Sequence, residues 1–231
     1  MDNTEAKVRH ELKYVVSAAQ IPLLKSRITP MMRADPHAGV SGTYSVRSLY
    51  FDDHDCSCFY DNENGEDPRE KLRLRIYNRS PDLIHLECKR KERGKTLKTT
   101  VEITREQAQR AIEGAGWTDM ESLAPLLRKM KLQMDTRLLR PAVIVDYDRT
   151  PFVYAHGNVR VTFDMNVSSS SSVCGFFQPE IPKRPIMPVG WHLLEVKYDE
   201  FLPDFIYRAL NLGSLQQTAY SKYYLCRRYR P

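Results

Sequence analysis

The segment Lys71-Leu-Arg-Leu-Arg-Ile-Tyr77 alternates cationic and apolar side chains, and this alternation decides the fold. Successive side chains of a β-strand point to opposite faces of the sheet. The three cations therefore share one face of this strand, and the three aliphatic residues share the other. The segment predicts a strand that is buried on one side and strongly basic on the other.

Similar alternation recurs through much of the chain. Charged or polar side chains likewise share one face of the predicted strands in segments 9–13, 85–91, 97–103, 160–164 and 194–198. Together with two apolar-rich segments these patterns predict eight strands: Arg9–Val16, Tyr44–Asp52, Lys71–Asn78, Leu83–Lys91, Leu97–Ile103, Ala142–Thr150, Arg160–Asp164 and His192–Tyr198. Short connections, such as the predicted hairpin turn Lys91–Lys95, favour an antiparallel arrangement. We therefore expect an α+β fold built on an antiparallel sheet or barrel.

Four segments predict helices. Ser17–Gln20 and Thr104–Gln107 have the form of capping boxes, which open helices that run to about Met32 and to Gly114. Leu123–Met134 predicts a third helix, and Phe205–Leu212 predicts a short fourth one. The serine-rich stretch Ser168–Ser172 and the proline-rich stretch Gln178–Pro188 predict one long loop. We expect a single domain over residues 1–231.

Composition excludes several classes of protein. The 231 residues are 42% hydrophobic and 28% charged, with a formal net charge of +6, which is typical of a globular protein with a modest basic excess. The apolar runs are far shorter than the ~20 residues that a spanning helix needs, and the N-terminal segment has no apolar signal region. Five scattered cysteines predict free thiols in a cytoplasmic protein.

The clustered Lys and Arg side chains indicate an anionic ligand. One such strand is usually the solvated face of an antiparallel sheet, but several together favour a closed sheet with a charged lumen. A polyphosphate chain suits this lumen, because phosphate oxygens accept charge-assisted hydrogen bonds from several cations at once. The few carboxylates would then bind a hard divalent ion that bridges phosphate oxygens. The sequence contains no GxSxG, HExxH, Walker A or Rossmann glycine motif, so no nucleophile from the protein is indicated.

An ordered set of motifs across nearly the whole chain resembles the VTC domain, the catalytic domain of the vacuolar transporter chaperone polyphosphate polymerase. The motifs are Arg9–Tyr14, Ser45–Asp52, Lys71–Tyr77, Leu86–Lys89, Leu194–Tyr198 and Ser221–Tyr224. The resemblance implies a bacterial-type, stand-alone member of the triphosphate tunnel metalloenzymes. It implies an eight-stranded antiparallel β-barrel with flanking helices, and a transferase that moves the γ-phosphate of ATP onto a growing polyphosphate chain.

The same resemblance implies roles for individual residues. Catalytic, phosphate-binding roles fall on nine basic residues: Lys13, Arg73, Arg75, Lys89, Lys98, Arg149, Arg160, Lys197 and Lys222. Ser221 and Lys91 are implied as further substrate-binding residues, and Glu195, Glu11 and Glu87 as ligands of Mn²⁺ or Mg²⁺. Hydrolases and cyclases of the superfamily open with Glu-x-Glu-x-Lys, whereas this chain has Arg9 at the first position. The loss of that carboxylate disfavours hydrolysis with two metal ions.

The sequence is compatible with several functions. The leading hypothesis is a metal-dependent polyphosphate polymerase that uses ATP. The alternatives are a tripolyphosphate or nucleoside-triphosphate hydrolase, and a non-catalytic module that binds polyphosphate or inositol polyphosphate. Nucleic-acid binding is not expected, because the basic residues alternate along strands rather than covering an exposed helix. The sequence predicts no membrane span of its own, leaves a membrane-protein partner open, and does not indicate an oligomeric state.

Overall fold

The computed structural model describes residues 9–93 and 95–228. This part of the chain contains ten strands: β1 His10–Ser17, β2 Arg33–Ala34, β3 Tyr44–Asp52, β4 Arg69–Tyr77, β5 Ser80–Glu92, β6 Lys95–Ile103, β7 Arg140–Tyr154, β8 Val159–Ser170, β9 Arg184–Pro185 and β10 Trp191–Tyr198. It also contains six α-helices: α1 Gln20–Ile28, α2 Ser57–Glu63, α3 Arg105–Glu113, α4 Pro125–Thr136, α5 Asp204–Ala209 and α6 Lys222–Arg228. No helix in these ranges is long and apolar enough to cross a membrane.

The sheet is antiparallel and open. Its hydrogen-bonded order is β1-β10-β8-β7-β3-β4-β5-β6, with β2 beside β7 and β9 beside β8. The α+β class and the antiparallel sheet are therefore confirmed, but the pairing does not close into the expected eight-stranded barrel. At β1 the reason is local, since Tyr14 bridges to Gln217 and the Thr218 amide donates to the Lys13 carbonyl. A later segment of the chain thus occupies the second edge of β1.

The chain divides into two compact units. Among the described residues, unit 1 comprises 9–45, 147–167 and 187–220, and unit 2 comprises 46–93, 95–146, 168–186 and 221–228. In unit 1, the apolar faces of β1, β8 and β10 pack under α1 and α5, with Val161 and Leu194 fully buried. In unit 2, Leu74 and Leu86 are buried under α3 and α4. In each unit, helices cover the apolar strand face that the alternation predicted.

The sequence signals for the two helix starts and for the β5–β6 hairpin correspond to observed hydrogen bonds and strand pairing. Thr104 and Gln107 form the predicted capping box of α3, and Gly114 ends that helix with φ +71°. Ser17 and Gln20 exchange the expected hydrogen bonds, although regular helix begins only at Gln20. β5 and β6 form the predicted hairpin, which pairs Glu92 with Lys95; Gly94 of the predicted turn lies outside the described residues.

The predicted loop from Ser168 is partly wrong, because β8 continues through Ser170. The Ser168 hydroxyl donates to the Asp146 carbonyl. The following segment is fixed by Arg47, a fully buried side chain that donates to the carbonyls of Phe176 (3.1 Å), Gln178 and Pro179 (3.3 Å). Arg47 also pairs with Asp146 at 2.7 Å, so a buried charge is neutralised where it holds the segment.

Candidate functional site

Three adjacent strands of unit 2 place lysines in direct register. Lys71 of β4 lies opposite Lys89 of β5, which lies opposite Lys98 of β6. The next row along the strands contains Arg73 opposite Glu87. Like charges that face each other across strands are destabilising unless a counter-charge is present. We call the face that carries these residues and Arg75 the unit 2 basic face.

Glu87 supplies part of that counter-charge. Its carboxylate is 1% exposed and pairs with Arg73 at 2.6 Å, with Arg75 at 3.7 Å and with Lys98 at 2.5 Å. Burial alone would raise the pKa of Glu87, but the three cations outweigh it and hold the pKa well below its usual range. Glu87 is therefore an ionised carboxylate enclosed by cations, and its metal-binding role stays a prediction.

Hydroxyl groups of β3 orient the two arginines. Arg75 Nε donates to Ser48 Oγ at 3.0 Å, and Arg73 donates to the Tyr50 hydroxyl at 2.7 Å. Burial opposes ionisation of Tyr50, but the charges of Arg73 and Arg75 outweigh it and lower the pKa of the phenol. The contacts of Ser48 and Tyr50 could not be predicted from the sequence, because they depend on the register of β3 against β4.

The N-terminal end of α6 adds to the same face. Lys71 Nζ lies 3.3 Å from Ser221 Oγ, and that oxygen also accepts a hydrogen bond from the Tyr224 amide. The charge of Lys222 contributes to the lowered pKa of Tyr50, after the larger effects of Arg73 and Arg75. The structure thus brings Ser221 and Lys222 to the unit 2 basic face, and their substrate-binding roles stay predictions.

Unit 1 carries a second group of charges in two rows across three strands. Lys13 of β1 lies opposite Glu195 of β10, which lies opposite Thr162 of β8. The second row is Glu11, Lys197 and Arg160 on the same three strands. Each row contains a carboxylate as well as at least one cation, in contrast to the lysine row of unit 2. We call this the unit 1 mixed face.

One ammonium group links the two carboxylates of the unit 1 mixed face. Lys197 Nζ lies 3.2 Å from Glu11 Oε1 and 3.5 Å from Glu195 Oε2. Arg149 approaches Glu195 at 3.6 Å, and Lys13 approaches Glu11 at 3.8 Å. Two carboxylates near one position are the hard oxygen donors that Mg²⁺ and Mn²⁺ prefer, with phosphate oxygens completing the shell. Glu11 and Glu195 supply two such carboxylates to one face, whereas Glu87 is a single one, and their metal-binding role stays a prediction.

Asp164, for which the sequence predicted no role, fixes the position of Arg149. Arg149 Nε and one terminal nitrogen each lie 2.7 Å from an oxygen of Asp164, whose side chain is fully buried. Burial alone would lower the pKa of Arg149, but Asp164 outweighs it and raises the pKa further. A paired, oriented guanidinium keeps its remaining N–H groups in one direction.

Arg160 is held in a comparable way by residues of unit 1. It lies 2.8 Å from Asp35 and 3.1 Å from the Tyr44 hydroxyl. Asp35 also accepts hydrogen bonds from the amide and the ring of His37. Burial opposes ionisation of Asp35, but the bonds from His37 and the charge of Arg160 lower its pKa. No sequence signal connected Asp35 with Arg160, which is 125 positions away.

Lys91 and Arg9 lie apart from the contacts described for the two faces. Lys91 is exposed near the end of β5, opposite Arg69. Arg9 pairs with Asp199 at 3.0 Å and donates to the Asn158 carbonyl at 2.6 Å.

Within residues 9–93 and 95–228, no group of three or more His, Cys, Asp and Glu side chains could hold a metal ion.

Comparison with known proteins identifies the family. The family model of the VTC domain matches residues 8–229, so the chain belongs to the VTC domain family. The fold is similar to that of a candidate adenylate cyclase from Bacillus halodurans, with a TM-score of 0.51 and 16% identity over 94% of both chains. It is also similar to a candidate adenylyl cyclase from Hippeastrum with a dominant triphosphatase activity. That TM-score is 0.54, with 13% identity over 96% of this chain and 95% of the other. At such identities the likeness concerns the fold alone, and no curated protein matches the chain.

Proposed function

We propose that this protein is a metal-dependent polyphosphate polymerase that transfers the γ-phosphate of ATP to a growing polyphosphate chain. The observation that carries the proposal is the row Lys71–Lys89–Lys98, where three ammonium groups sit in register across adjacent strands of a VTC domain. The Glu87 carboxylate pairs with the adjoining Arg73 and Lys98. A chain of phosphates could accept charge-assisted hydrogen bonds from several cations of this face at once.

In this proposal the unit 2 basic face holds phosphate groups. Arg73 and Arg75 act as oriented donors, because Tyr50 and Ser48 fix their guanidinium groups. Lys89 and Lys98 act as point charges, and Ser221 and Lys222 add a hydroxyl and a further cation. Lys91 stays a predicted peripheral contact.

The unit 1 mixed face would hold the metal ion and further phosphate oxygens. Glu195 and Glu11 would be its protein ligands, and Mg²⁺ or Mn²⁺ would neutralise charge on the phosphate groups. Arg149, Arg160, Lys13 and Lys197 would bind phosphate oxygens. Asp164 and Asp35 keep the two guanidinium groups in place.

The proposed reaction requires positioning rather than a protein nucleophile. An oxygen of the terminal acceptor phosphate attacks the γ-phosphorus of ATP, and the bond from that phosphorus to the β,γ-bridging oxygen breaks to release ADP. The attacking oxygen is already anionic, so no general base is needed. Fixed cations would stabilise charge on the transferred group, which is the main contribution proteins make to phosphoryl transfer.

The test is product analysis with γ-labelled ATP and Mg²⁺ or Mn²⁺. We expect a ladder of labelled polyphosphate that is lost in Arg75→Ala and Glu195→Gln. The ladder should persist in Arg208→Ala, which alters an exposed residue of α5. Label that appears only as free phosphate would contradict a polymerase. Binding without any turnover would point to a receptor.

A triphosphatase is the second candidate. The structurally similar Hippeastrum protein has a dominant triphosphatase activity, and an activated water could replace the acceptor phosphate on the same residues. Arg9 disfavours hydrolysis, because it pairs with Asp199 at the position where a carboxylate opens the hydrolase motif.

The five free thiols suit the cytoplasm, where ATP is available, and we propose that location. Neither candidate includes a nucleic acid as a partner, and a membrane-protein partner remains open.

A further inference from the structure

Strand β8 carries two buried polar atoms that have no hydrogen-bond partner among the residues the structure describes. They are the Thr162 hydroxyl oxygen and Arg160 Nε. Thr162 is 2% exposed, so bulk water does not replace the missing partner. A buried hydroxyl without a partner costs free energy, and proteins therefore leave few of them.

The strand cannot readily shift to satisfy the Thr162 hydroxyl. Its neighbours in the sequence, Val161 and Phe163, are fully buried in the core of unit 1. They point to the opposite face, so Thr162 is directed toward the unit 1 mixed face. Directly across the strand pair lies Glu195, and two positions along β8 lies Arg160. The hydroxyl thus sits among the residues proposed to bind the metal ion and phosphate.

The charges on this face indicate which kind of group would accept a hydrogen bond from the Thr162 hydroxyl. Lys13, Lys197 and Arg160 occupy the same two rows, and each attracts an anionic oxygen. A neutral hydroxyl can donate one more hydrogen bond to such an oxygen without adding to the repulsion between the cations. A phosphate group, with several acceptor oxygens, can bind the cations and the hydroxyl together.

We propose that Thr162 is a substrate-contacting residue whose hydroxyl donates a hydrogen bond to a phosphate oxygen of a bound oligophosphate. This inference rests on the proposed function, because it requires the unit 1 mixed face to bind phosphate. The Arg160 Nε atom would be satisfied by the same ligand. Thr162 therefore joins the substrate-binding residues, although the motif resemblance does not include it.

A purely structural role for Thr162 leads to a different expectation. Threonine is favoured in strands for its shape, and valine has nearly the same shape without the hydroxyl. If the hydroxyl had an internal partner, Thr162→Val would destabilise the fold and leave affinity unchanged. If the hydroxyl serves the ligand, Thr162→Val should leave the unfolding midpoint unchanged or higher and weaken binding.

The experiment is calorimetric titration of the full chain with tripolyphosphate, together with thermal unfolding without ligand. We expect Thr162→Val to bind about 10- to 100-fold more weakly than the wild type, as expected for the loss of one hydrogen bond to a charged group. Thr162→Ser, which keeps the hydroxyl, should stay within about twofold of the wild type. The control is Thr99→Val, an exposed residue of β6.

The outcomes separate this inference from the proposed function. Equal affinity of Thr162→Val and a wild type that binds tripolyphosphate would overturn the role of Thr162 alone. A lower unfolding midpoint of Thr162→Val with unchanged affinity would do the same. A wild type that does not bind tripolyphosphate would overturn the phosphate-binding proposal and this inference together.

Discussion

Arg149 and Asp164 form a two-point ion pair in which both nitrogen–oxygen distances are 2.7 Å. Asp164 is fully buried, and the Arg149 side chain is 11% exposed. Such a pair fixes the direction of the guanidinium group, because two parallel hydrogen bonds leave it little rotational freedom. Asp164 thereby positions Arg149 beside Glu195.

Removing the charge of Asp164 should destabilise the protein. We expect Asp164→Asn to lower the free energy of unfolding by about 3–5 kcal/mol, because Arg149 would remain buried without its full counter-charge. Urea unfolding followed by circular dichroism measures this loss. Asp204→Asn is the matched control, since its i,i+4 pair with Arg208 is exposed and should contribute at most about 0.5 kcal/mol. Equal losses in the two variants would contradict the assigned role.

Glu87 should make stability depend on pH in the acidic range. Because its folded-state pKa lies below the ordinary value of about 4.3, the unfolded chain binds its proton first as the pH falls. The stabilisation by Glu87 is therefore present above about pH 5 and declines progressively below it. We expect Glu87→Gln to be less stable at pH 7 and to lose less stability between pH 5 and pH 3.

The measurement is urea unfolding across that pH range. Glu102→Gln, an exposed residue of β6, is the control and should keep the slope of the wild type. Identical slopes for the wild type and Glu87→Gln would show that the carboxylate is not held ionised by its neighbours.

A polyanion that binds the lysine row should raise the free energy of unfolding. Tripolyphosphate at about 100 times its dissociation constant should raise the free energy of unfolding by about 2.7 kcal/mol. Lys89→Gln removes the central cation of the row and should therefore weaken the binding of tripolyphosphate. The same variant should show a smaller stabilisation by tripolyphosphate at a fixed concentration.

Thermal unfolding with and without tripolyphosphate measures the stabilisation of the wild type and of the variant. Arg128→Gln, which changes an exposed residue of α4, should behave as the wild type does. A Lys89→Gln protein that tripolyphosphate stabilises as much as the wild type would contradict the binding role of the lysine row.

The cysteines should differ in reactivity. Burial raises the pKa of Cys226 to about 12, and burial together with Asp52 raises the pKa of Cys58. Cys174 is exposed. Because the thiolate is the reactive form, iodoacetamide at pH 8 should label Cys174 well before the other two. Peptide mapping by mass spectrometry gives the order, and Cys174→Ser should remove the early label. Equally fast labelling of Cys226 in the folded protein would contradict the prediction.

Alternation in the sequence predicted the strand faces well, because a period of two follows directly from strand geometry. β3 coincides with the predicted Tyr44–Asp52, and the residues expected to share a face with Arg73 do so. Ser168–Ser170 misled the prediction, since small polar residues favour loops unless a neighbouring strand binds them. The short helix α6 had a signal, because Ser221 accepts from the Tyr224 amide as a helix-capping residue does.

The partners of the site residues could not be predicted in the same way. Asp35, Ser48 and Tyr50 contact Arg160, Arg75 and Arg73 through pairings that depend on strand order and register. A single sequence fixes which residues share a strand face but not which strands become neighbours. The missing information was therefore topological rather than chemical.

Arg47 has a consequence for anyone who recombines this protein with its relatives. The serine- and proline-rich segment resembles an interchangeable surface loop by composition, yet three of its carbonyl groups accept from this one buried side chain. A chimaera that imports only the segment would leave a guanidinium without acceptors inside the protein. Crossover points should keep Arg47, Asp146 and residues 176–183 from the same parent, because they are inherited as one physical unit.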